Sequence, residues 1–266
     1  MIYKGDTVNR FDANGKKHGK WVRTFPESKD IRLIAHFQHG SPRDTFRYYY
    51  RDGTLKAINV FGPKGIDSHV KTFHPNGKRM ARGKYINKKK DSLWIFYDPE
   101  GVKSAIQEYR AGLRHGKELV FYRNGDTALI RHYKDSLKHG PWKKFFKKGG
   151  IQAEGRFKEG RRAGKLKYYH PNGALKYEGE HNEKGFREGK WIWYKKNGKL
   201  DQTVIYDNGE IDSIIGPDGK LISNGPPIDS NQVNLQPKKK QEGPRLKRKD
   251  GRFERKRGKG KGRRGP

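Results

Sequence analysis

The stretch that decides the fold is LKYYHPNGALKYEGEH, at residues 166–181. It places an aromatic run, residues 166–169, before Pro171-Asn172-Gly173 and a second strand-like run after it. Asn-Gly between two such runs is the strongest local signal for a β-hairpin, because a type I′ turn needs positive φ at both central positions. This stretch therefore predicts one hairpin, turned at Asn172-Gly173.

The same pattern recurs along the chain at a period of 24 residues. Such a period is typical of a repeat array, in which each unit buries its apolar face against its neighbours. Three positions of the unit form columns along the chain. The aromatic column is Phe37, Phe61, Tyr85, Tyr109, Tyr133, Phe157, His181 and Tyr206. The tryptophan column is Trp21, Phe46, Val70, Trp94, Glu118, Trp142, Leu166 and Trp191. The third column is Tyr49, Phe73, Tyr97, Phe121, Phe145, Tyr169 and Tyr194.

The links between strands are too short to hold helices, so the repeat predicts an all-β fold. We expect an elongated antiparallel meander of about eight 24-residue β-hairpin repeats, about 16 strands in all, followed by a disordered basic C-terminal tail. A second, looser turn, such as Gly112 to Gly116, joins one hairpin to the next. The repeat array covers residues 9–210, a degenerate end repeat and linker cover 211–236, and the Lys/Arg/Gly-rich tail covers 237–266. The pattern breaks at 26–30 and 62–67.

The third column follows the tryptophan column by three residues, which is an odd offset. In a strand, an odd offset places two side chains on opposite faces unless a bulge intervenes. In one interpretation the sheet curls, buries one aromatic face and covers the other with lysine stems. In the other, one aromatic face is a docking surface. The candidate residues among the repeat aromatics are Trp21, Trp94, Trp142, Trp191, Tyr85, Tyr109, Tyr133 and Phe157.

The chain is strongly basic, with 62 Lys and Arg against 29 Asp and Glu and a formal net charge of +33. A field of this sign attracts polyanions, which include nucleic acid, acidic lipid and acidic proteins. The tail is the most basic segment and has almost no aromatic residues, so it suits phosphate contacts better than base stacking. Its candidate anion-binding residues are Lys238, Lys239, Lys240, Arg245, Lys247, Arg248 and Lys249.

Residues that carry chemistry are scarce. The chain has no cysteine and no recognisable catalytic motif, so we expect no catalytic, cofactor-binding or metal-binding residues and no enzymatic activity. His18, His115 and His139 share one turn context, but repeat spacing would hold them too far apart to bind one metal ion. Glu154, Glu178 and Glu180 alternate with basic residues and predict cross-strand ion pairs. The start of the chain lacks the apolar core of a secretory signal, which predicts a cytoplasmic protein as the sequence is written.

The units resemble the MORN repeat, and more closely its bacterial variant. The resemblance rests on GLRHGKELVFYRNG at 112–125, GRRAGKLKYYHPNG at 160–173, GPWKKFFKKGG at 140–150 and GKWIWYKKNG at 189–198. It implies a ribbon of β-hairpins that acts as a scaffold or protein-binding surface, and many such bacterial proteins carry the label of antitoxin. Multi-copy chains of this kind are also similar to cell-envelope proteins of the Bacteroidota. That resemblance implies a periplasmic or envelope location as the alternative, with a leader removed or a misassigned start.

Three functions remain open from the sequence. The first is a non-enzymatic repeat scaffold that binds a protein partner, while the basic tail tethers it to an anionic partner or surface. The second is an antitoxin-like inhibitor of a cognate toxin. The third is an accessory factor that binds nucleic acid without sequence preference. The basic charge argues against inhibition of a nuclease, whose own substrate groove is basic.

Overall fold

The computed structural model describes residues 2–224, whose regular structure consists of β-strands without helices. These residues belong to one compact unit, Met1–Pro226. A two-stranded ladder, β1–β2, precedes a long antiparallel meander of 20 strands, β3–β22. The strands are β1 (Ile2–Tyr3), β2 (Asp6–Thr7), β3 (Arg10–Phe11), β4 (Lys17–Thr24), β5 (Ile31–Gln38), β6 (Ser41–Tyr49), β7 (Leu55–Phe61), β8 (Asp67–Phe73), β9 (Arg79–Ile86), β10 (Lys89–Tyr97), β11 (Lys103–Arg110), β12 (Leu113–Phe121), β13 (Thr127–Lys134), β14 (Leu137–Lys138), β15 (Gly140–Phe145), β16 (Ile151–Lys158), β17 (Arg161–Tyr169), β18 (Leu175–His181), β19 (Arg187–Tyr194), β20 (Leu200–Asp207), β21 (Glu210–Ile215) and β22 (Leu221–Asn224).

Consecutive strands of the meander pair with each other, which confirms the predicted succession of hairpins. The predicted strands correspond to β4–β20, with β14 and β15 as two parts of one strand that is interrupted at His139. The sheet also includes β3 at its start and β21 and β22 at its end. Ile214 of β21 is buried and continues the tryptophan column, so the degenerate end repeat adds to the same core.

The Asn-Gly turns differ from the prediction in their backbone conformation. In the turn at 170–174, Gly173 has φ +85, whereas Asn172 is not among the residues with positive φ. The amide of Gly173 donates to the His170 carbonyl at 2.9 Å, and the Asn172 side-chain oxygen accepts from the Ala174 amide at 3.2 Å. The turn is therefore a type I turn followed by a left-handed glycine, and the predicted type I′ turn is wrong at this end of the hairpins.

Two-residue turns with positive φ at both central positions occur at the opposite end, here called the tight-turn end. Ala111 has φ +49 and Gly112 has φ +92, between the paired residues Arg110 and Leu113. The sequence predicted a looser turn here, but Gly116 instead lies inside β12, beside a shift in strand register. These turns are His39-Gly40, Asn87-Lys88, Ala111-Gly112, Asp135-Ser136, Glu159-Gly160 and Asn208-Gly209, and Lys4-Gly5 between β1 and β2 has the same conformation.

The two predicted breaks are longer turns that leave the sheet continuous. At 26–30, the amide of Phe25 donates to the Asp30 carbonyl at 3.0 Å. At 62–67, the amide of Gly62 donates to the Asp67 carbonyl at 3.0 Å. The strands on either side of 62–67, β7 and β8, pair without a register shift. The chain therefore absorbs both departures from the repeat within its turns.

Hydrogen bonds also join each turn to the neighbouring repeat. At the tight-turn end, the Gly112 amide donates to the Lys90 carbonyl at 2.7 Å, and the Gly160 amide donates to the Lys138 carbonyl at 2.8 Å. At the Asn-Gly end, the His170 imidazole bonds to the Tyr194 carbonyl at 2.9 Å. Because these partners are about one repeat apart, turns stack on one another at both ends of the sheet.

The core is the tryptophan column, and every member of the column is buried. Glycines in the neighbouring strands let the indole rings lie directly on the backbone. A Cβ at Gly179 would lie 2.2 Å from Trp191 Cδ2, and one at Gly83 would lie 2.3 Å from Trp94 Cδ2. Such distances exclude any side chain, so these glycines are required for the ring to pack.

Candidate interaction surface

The repeat aromatics form one interleaved row in the core. The Trp94 ring lies 5.1 Å from the Tyr85 ring and 6.2 Å from the Tyr109 ring, both edge-on. The same arrangement surrounds Trp191, with His181 at 5.1 Å and Tyr206 at 5.9 Å. Edge-on contacts of this kind stabilise aromatic pairs beyond the burial of their area. Of the predicted docking aromatics, Trp21, Trp94, Trp142, Trp191 and Tyr133 are buried, and Tyr85, Tyr109 and Phe157 are partly buried. These rings serve packing in the structure.

A column of basic residues covers this aromatic row, and sequence reasoning missed it. Lys90 Nζ lies 4.3 Å from the Trp94 ring centre, and Arg187 Cζ lies 4.5 Å from the Trp191 ring centre. Burial lowers the pKa of Lys90. A cation over an aromatic face is attracted by the ring quadrupole. The sequence does contain a signal for this column, because a basic residue stands four positions before six members of the tryptophan column. This basic column is Lys17, Lys90, Arg114, Lys138, Arg162 and Arg187.

One repeat replaces the tryptophan by a buried glutamate that pairs with a partly buried arginine. Glu118 is 6% exposed, and its carboxylate accepts a hydrogen bond from the Arg131 side chain of the next strand. Arg114 bonds to the Tyr133 hydroxyl at 3.1 Å and lies over the Tyr133 ring. Because a buried charge needs a partner, these residues act as a unit.

A histidine replaces the aromatic residue in another repeat. His181 is 8% exposed and packs edge-on against Trp191. Burial, together with the charges of Arg162 and Arg187, lowers the pKa of His181 to about 4. The imidazole is therefore neutral near pH 7 and serves as an aromatic packing group.

The third column lies on the opposite face of the sheet. Tyr97 pairs with Lys103, whereas Phe96 pairs with Ala105, so the extra residue of this bulge is Ser104 in β11. Alternation along β10 is therefore kept, and Tyr97 faces away from Trp94. The side chains of the third column are partly exposed. The prediction that both faces carry aromatic residues holds along this strand.

Cross-strand ion pairs occupy the C-terminal part of this opposite face. Lys143 pairs with Glu154 at 3.0 Å, and Lys167 pairs with Glu178 at 3.3 Å, as the sequence predicted. The Tyr169 hydroxyl donates to Glu154 at 2.8 Å. Burial and this hydrogen bond raise the pKa of Tyr169 to about 12, and the bonds from Lys143 and Tyr169 lower the pKa of Glu154. Glu180 lies opposite Lys165 in the strand register.

The central part of the same face is apolar. Ile95 lies opposite Ile106, and Leu119 lies opposite Ile130, in place of the Lys–Glu pairs found further along. All four side chains are partly exposed. We call these four residues, together with Tyr97 and Phe121 of the third column, the apolar strip. Surfaces of this composition, rimmed by charge, are typical of protein-binding sites.

The sequence also singled out residues of the basic tail and three histidines. The residues predicted to bind anions lie outside the described residues; they are Lys238, Lys239, Lys240, Arg245, Lys247, Arg248 and Lys249. Of the three histidines in that turn context, His18 lies close to His39 and Asp12, and their ligand atoms are within 4.8 Å of one another. It does not form this group with His115 or His139, the equivalent residues of other repeats. Sequence reasoning missed this group because Asp12 and His39 lie in different turns. Along residues 2–224 the structure shows no helix with the length and apolar character needed to cross a membrane.

Comparison with protein families supports the repeat assignment. Residues 114–135, 162–183 and 187–208 match the family described as MORN repeat variant. Each matched segment begins at an arginine of the basic column, so it covers the cation, the tryptophan position and the following aromatic position. The matches support a MORN-repeat family and a β-hairpin repeat architecture, which is consistent with a scaffold for protein binding. The antitoxin label finds no support in them.

Solved structures show only distant similarity. A crystal structure of S. aureus TarM with Fondaparinux, alpha-GlcNAc-glycerol and UDP is 12% identical, with a TM-score of 0.22, over 51% of this chain and 21% of that chain. A crystal structure of TcdB2-TccC3-Cdc42 is 12% identical, with a TM-score of 0.20, over 81% of this chain and 15% of that chain. The chain thus spans about a fifth or less of their length. No curated protein matches the chain.

Proposed function

We propose that this array of MORN-type hairpins is a non-enzymatic scaffold that binds a protein partner on the apolar strip, while its basic tail holds it near an anionic surface. The apolar strip is the observation that carries the proposal. Elsewhere on the described sheet, the aromatic rings of the tryptophan and aromatic columns are used for packing, and their cations lie over them. The strip offers apolar area that no described element covers fully.

The titratable groups of the described residues support a structural role. The pKa of His181 is lowered because the ring is part of the aromatic row, and the pKa of Tyr169 is raised by burial and the bond to Glu154. Both shifts are thus explained by packing and hydrogen bonds within the sheet, whereas a catalytic site would bring several perturbed groups together.

The strip can be tested by substitution with charge. Ile106→Lys and Ile130→Lys place a cation in the centre of the strip, on strands that tolerate partial exposure at these positions. The partner is first identified by cross-linking in the native host and then purified. We expect each variant to weaken partner binding at least 10-fold in a titration, because an unpaired charge in an apolar interface costs about 2 kcal/mol or more.

Thr203→Lys is the matched control. Thr203 occupies the position of Ile106 and Ile130 in a later repeat, outside the strip, and it is also partly exposed. Its variant should bind the partner as the unmodified chain does. Equal binding by all three variants would place the partner elsewhere and end the proposal.

The tether rests on the composition of residues 237–266 and is tested separately. The full chain and a chain ending at residue 236 are compared for binding to vesicles that contain an anionic phospholipid. We expect the full chain to bind more tightly and to lose affinity more steeply as salt rises, because the tail adds many phosphate contacts. Equal affinity of both chains at low and high salt would exclude the tether. Tighter binding to single-stranded RNA than to vesicles would favour nucleic acid as the anion.

A further inference from the structure

We propose that Asp12, His18 and His39 form a binding site for a divalent transition metal ion, with Zn²⁺ as the best-suited ion. One ligand atom from each of the three side chains lies within 4.8 Å of the other two. Two imidazoles and one carboxylate are a donor set that Zn²⁺ prefers, and that Mg²⁺ and Ca²⁺, which take oxygen ligands, do not.

Turn stacking brings the three residues together. Asp12 begins the turn between β3 and β4, His18 lies in β4, and His39 opens the tight turn between β5 and β6. The amide of Gly40 donates to the Lys17 carbonyl at 2.8 Å, which holds the His39 turn against β4. The backbone therefore fixes the approach of residues that are far apart in sequence.

The carboxylate of Asp12 is already oriented. Its Oδ1 accepts hydrogen bonds from the amides of Asn14 and Lys16, both at 2.9 Å, and its side chain is only 10% exposed. Its Oδ2 lies 2.7 Å from His39 Nδ1. Carboxylates that contact a metal ion or its histidine ligand are usually held by such bonds.

His18 supplies an independent observation. Its Nδ1 is buried and has no hydrogen-bond partner among the described residues. A buried ring nitrogen without a partner is uncommon, because burying an unpaired polar atom costs free energy. The His18 and His39 ring centres lie 5.0 Å apart. A bound cation shared with His39 would give the His18 ring the polar contact that it lacks.

Only a small movement is needed to close the site. Ligand atoms around a tetrahedral Zn²⁺ are about 3.4 Å apart, somewhat closer than the 4.8 Å limit found here. The His39 side chain is 62% exposed, so it can rotate without displacing packed neighbours. The chain is basic overall, so its net charge repels cations. A metal ion that binds through neutral imidazole nitrogens is therefore favoured over an ion that binds by charge attraction alone.

Another repeat provides an internal comparison. His115 occupies the slot of His18, and Asp135 occupies the slot of His39 in its tight turn. His115 Nδ1 lies 3.3 Å from Asp135 Oδ1. Among the described residues, no third potential ligand joins these two in a group that could hold a metal ion. We therefore expect the first repeat to bind Zn²⁺ and this one not to.

The test uses the full chain without an affinity tag, after removal of metal with a chelator. Calorimetric titration with ZnCl₂ should show one saturable site. His39→Asn and His18→Asn should each weaken it at least about 10-fold. Asparagine suits position 39, where φ is +47, so that variant is expected to fold. Circular dichroism checks the fold of both variants.

His115→Asn is the control and should leave Zn²⁺ binding unchanged. In NMR spectra, Zn²⁺ should shift the imidazole signals of His18 and His39 and leave those of His115 in place. The proposal is overturned if no saturable site is found, if the His39 and His18 variants bind Zn²⁺ as tightly as the unmodified chain, or if the His115 variant loses as much affinity as they do.

Discussion

At the scale of single residues, the fold depends on pairs of an indole ring and a glycine in the neighbouring strand. Trp191 is fully buried because Gly179 lets its ring lie on the backbone of β18, and its indole nitrogen donates to the Glu180 carbonyl at 3.1 Å. Trp94 repeats both contacts with Gly83 and the Lys84 carbonyl. Trp142 departs from this pattern, since its buried indole nitrogen has no hydrogen-bond partner among residues 2–224.

Gly179→Ala should destabilise the sheet. The new Cβ would lie 2.2 Å from Trp191 Cδ2, so the ring must move out of a packed site, which costs about 1–3 kcal/mol. The free energy of unfolding is measured by urea titration. Gly155→Ala is the control and should cost less, because no atom would lie closer to its Cβ than Leu166 Cδ1 at 3.0 Å, Trp142 Nε1 at 3.1 Å and the Lys165 carbonyl oxygen at 3.3 Å. An equal loss in both variants would contradict this role of Gly179.

His181 makes stability depend on pH. Its pKa is lowered to about 4 in the folded chain and is about 6.5 when unfolded, so the unfolded chain binds the proton more readily between these values. Stability from this group is complete above pH 6.5 and is lost as the pH falls towards 4. His181→Phe restores the residue type of the column and removes this dependence.

The difference between the variant and the unmodified chain should grow by roughly 1–3 kcal/mol between pH 7 and pH 4.5. Urea titration at several pH values measures it. Carboxylates with lowered pKa values, such as Glu154, titrate in both proteins and cancel in the comparison. A difference that stays constant with pH would contradict the assignment to His181.

At the scale of elements, a hairpin is defined by the turns at its two ends and by the two residues that pair across its strands in the core. The Asn-Gly end uses a single left-handed glycine, whereas the tight-turn end places residues such as Ala111 and Asp135 at positive φ. Residues other than glycine are tolerated there because the turns also hydrogen-bond to the preceding repeat. Local residue preference and stacking between repeats therefore both decide the turn.

The hairpin of β12 and β13 allows a test of its buried charge pair. Arg131→Leu leaves the Glu118 carboxylate buried without its partner and should cost roughly 2–4 kcal/mol in the free energy of unfolding. Leu at both positions restores an apolar pair and should be within about 1 kcal/mol of the unmodified chain. Urea titration of the three proteins measures the coupling.

The exposed pair Lys143–Glu154 is the control for this cycle. Lys143 is 47% exposed, so Lys143→Leu should cost less than about 1 kcal/mol. The double substitution at Glu118 and Arg131 could instead lower the free energy of unfolding as much as Arg131→Leu alone. In that case the pair would stabilise the fold by more than the removal of an unpaired buried charge.

At the scale of the whole described sheet, the core consists of three separate clusters. The largest extends from Trp142 to Ile214, and two smaller ones are centred on Trp21 and Trp94. Two polar residues separate them: Glu118, and Asn59, whose buried side-chain oxygen has no hydrogen-bond partner in the described part of the chain. Because each repeat contacts only its neighbours, stability is expected to vary along the sheet.

Trp191→Ala should therefore act locally. Its removal leaves a large cavity in the C-terminal cluster, which costs about 3–5 kcal/mol. In hydrogen exchange, we expect protection to fall in β17–β21 and to remain unchanged in β4–β6. An equal fall in protection along the whole sheet would show that the clusters unfold as one unit. Trp21→Ala, which should affect only β4–β6, is the reciprocal control.

The sequence by itself determined the period, the hairpins, the existence of the tryptophan column and the opposite placement of the third column. Alternation along a strand and the preference of Asn and Gly for turns are local properties, so they can be read from neighbouring residues. The ion pairs of Glu154 and Glu178 followed from the same alternation.

Tertiary structure alone decided which end of the hairpins carries the type I′-like turns, where the basic column lies, and which residues meet across repeats. His39 reaches Asp12 and His18 only because turns stack through backbone hydrogen bonds such as that from Gly40 to Lys17. The apolar strip likewise exists only where β10–β13 place Ile and Leu opposite each other. These contacts depend on the register between strands, and register is a property of the assembled sheet.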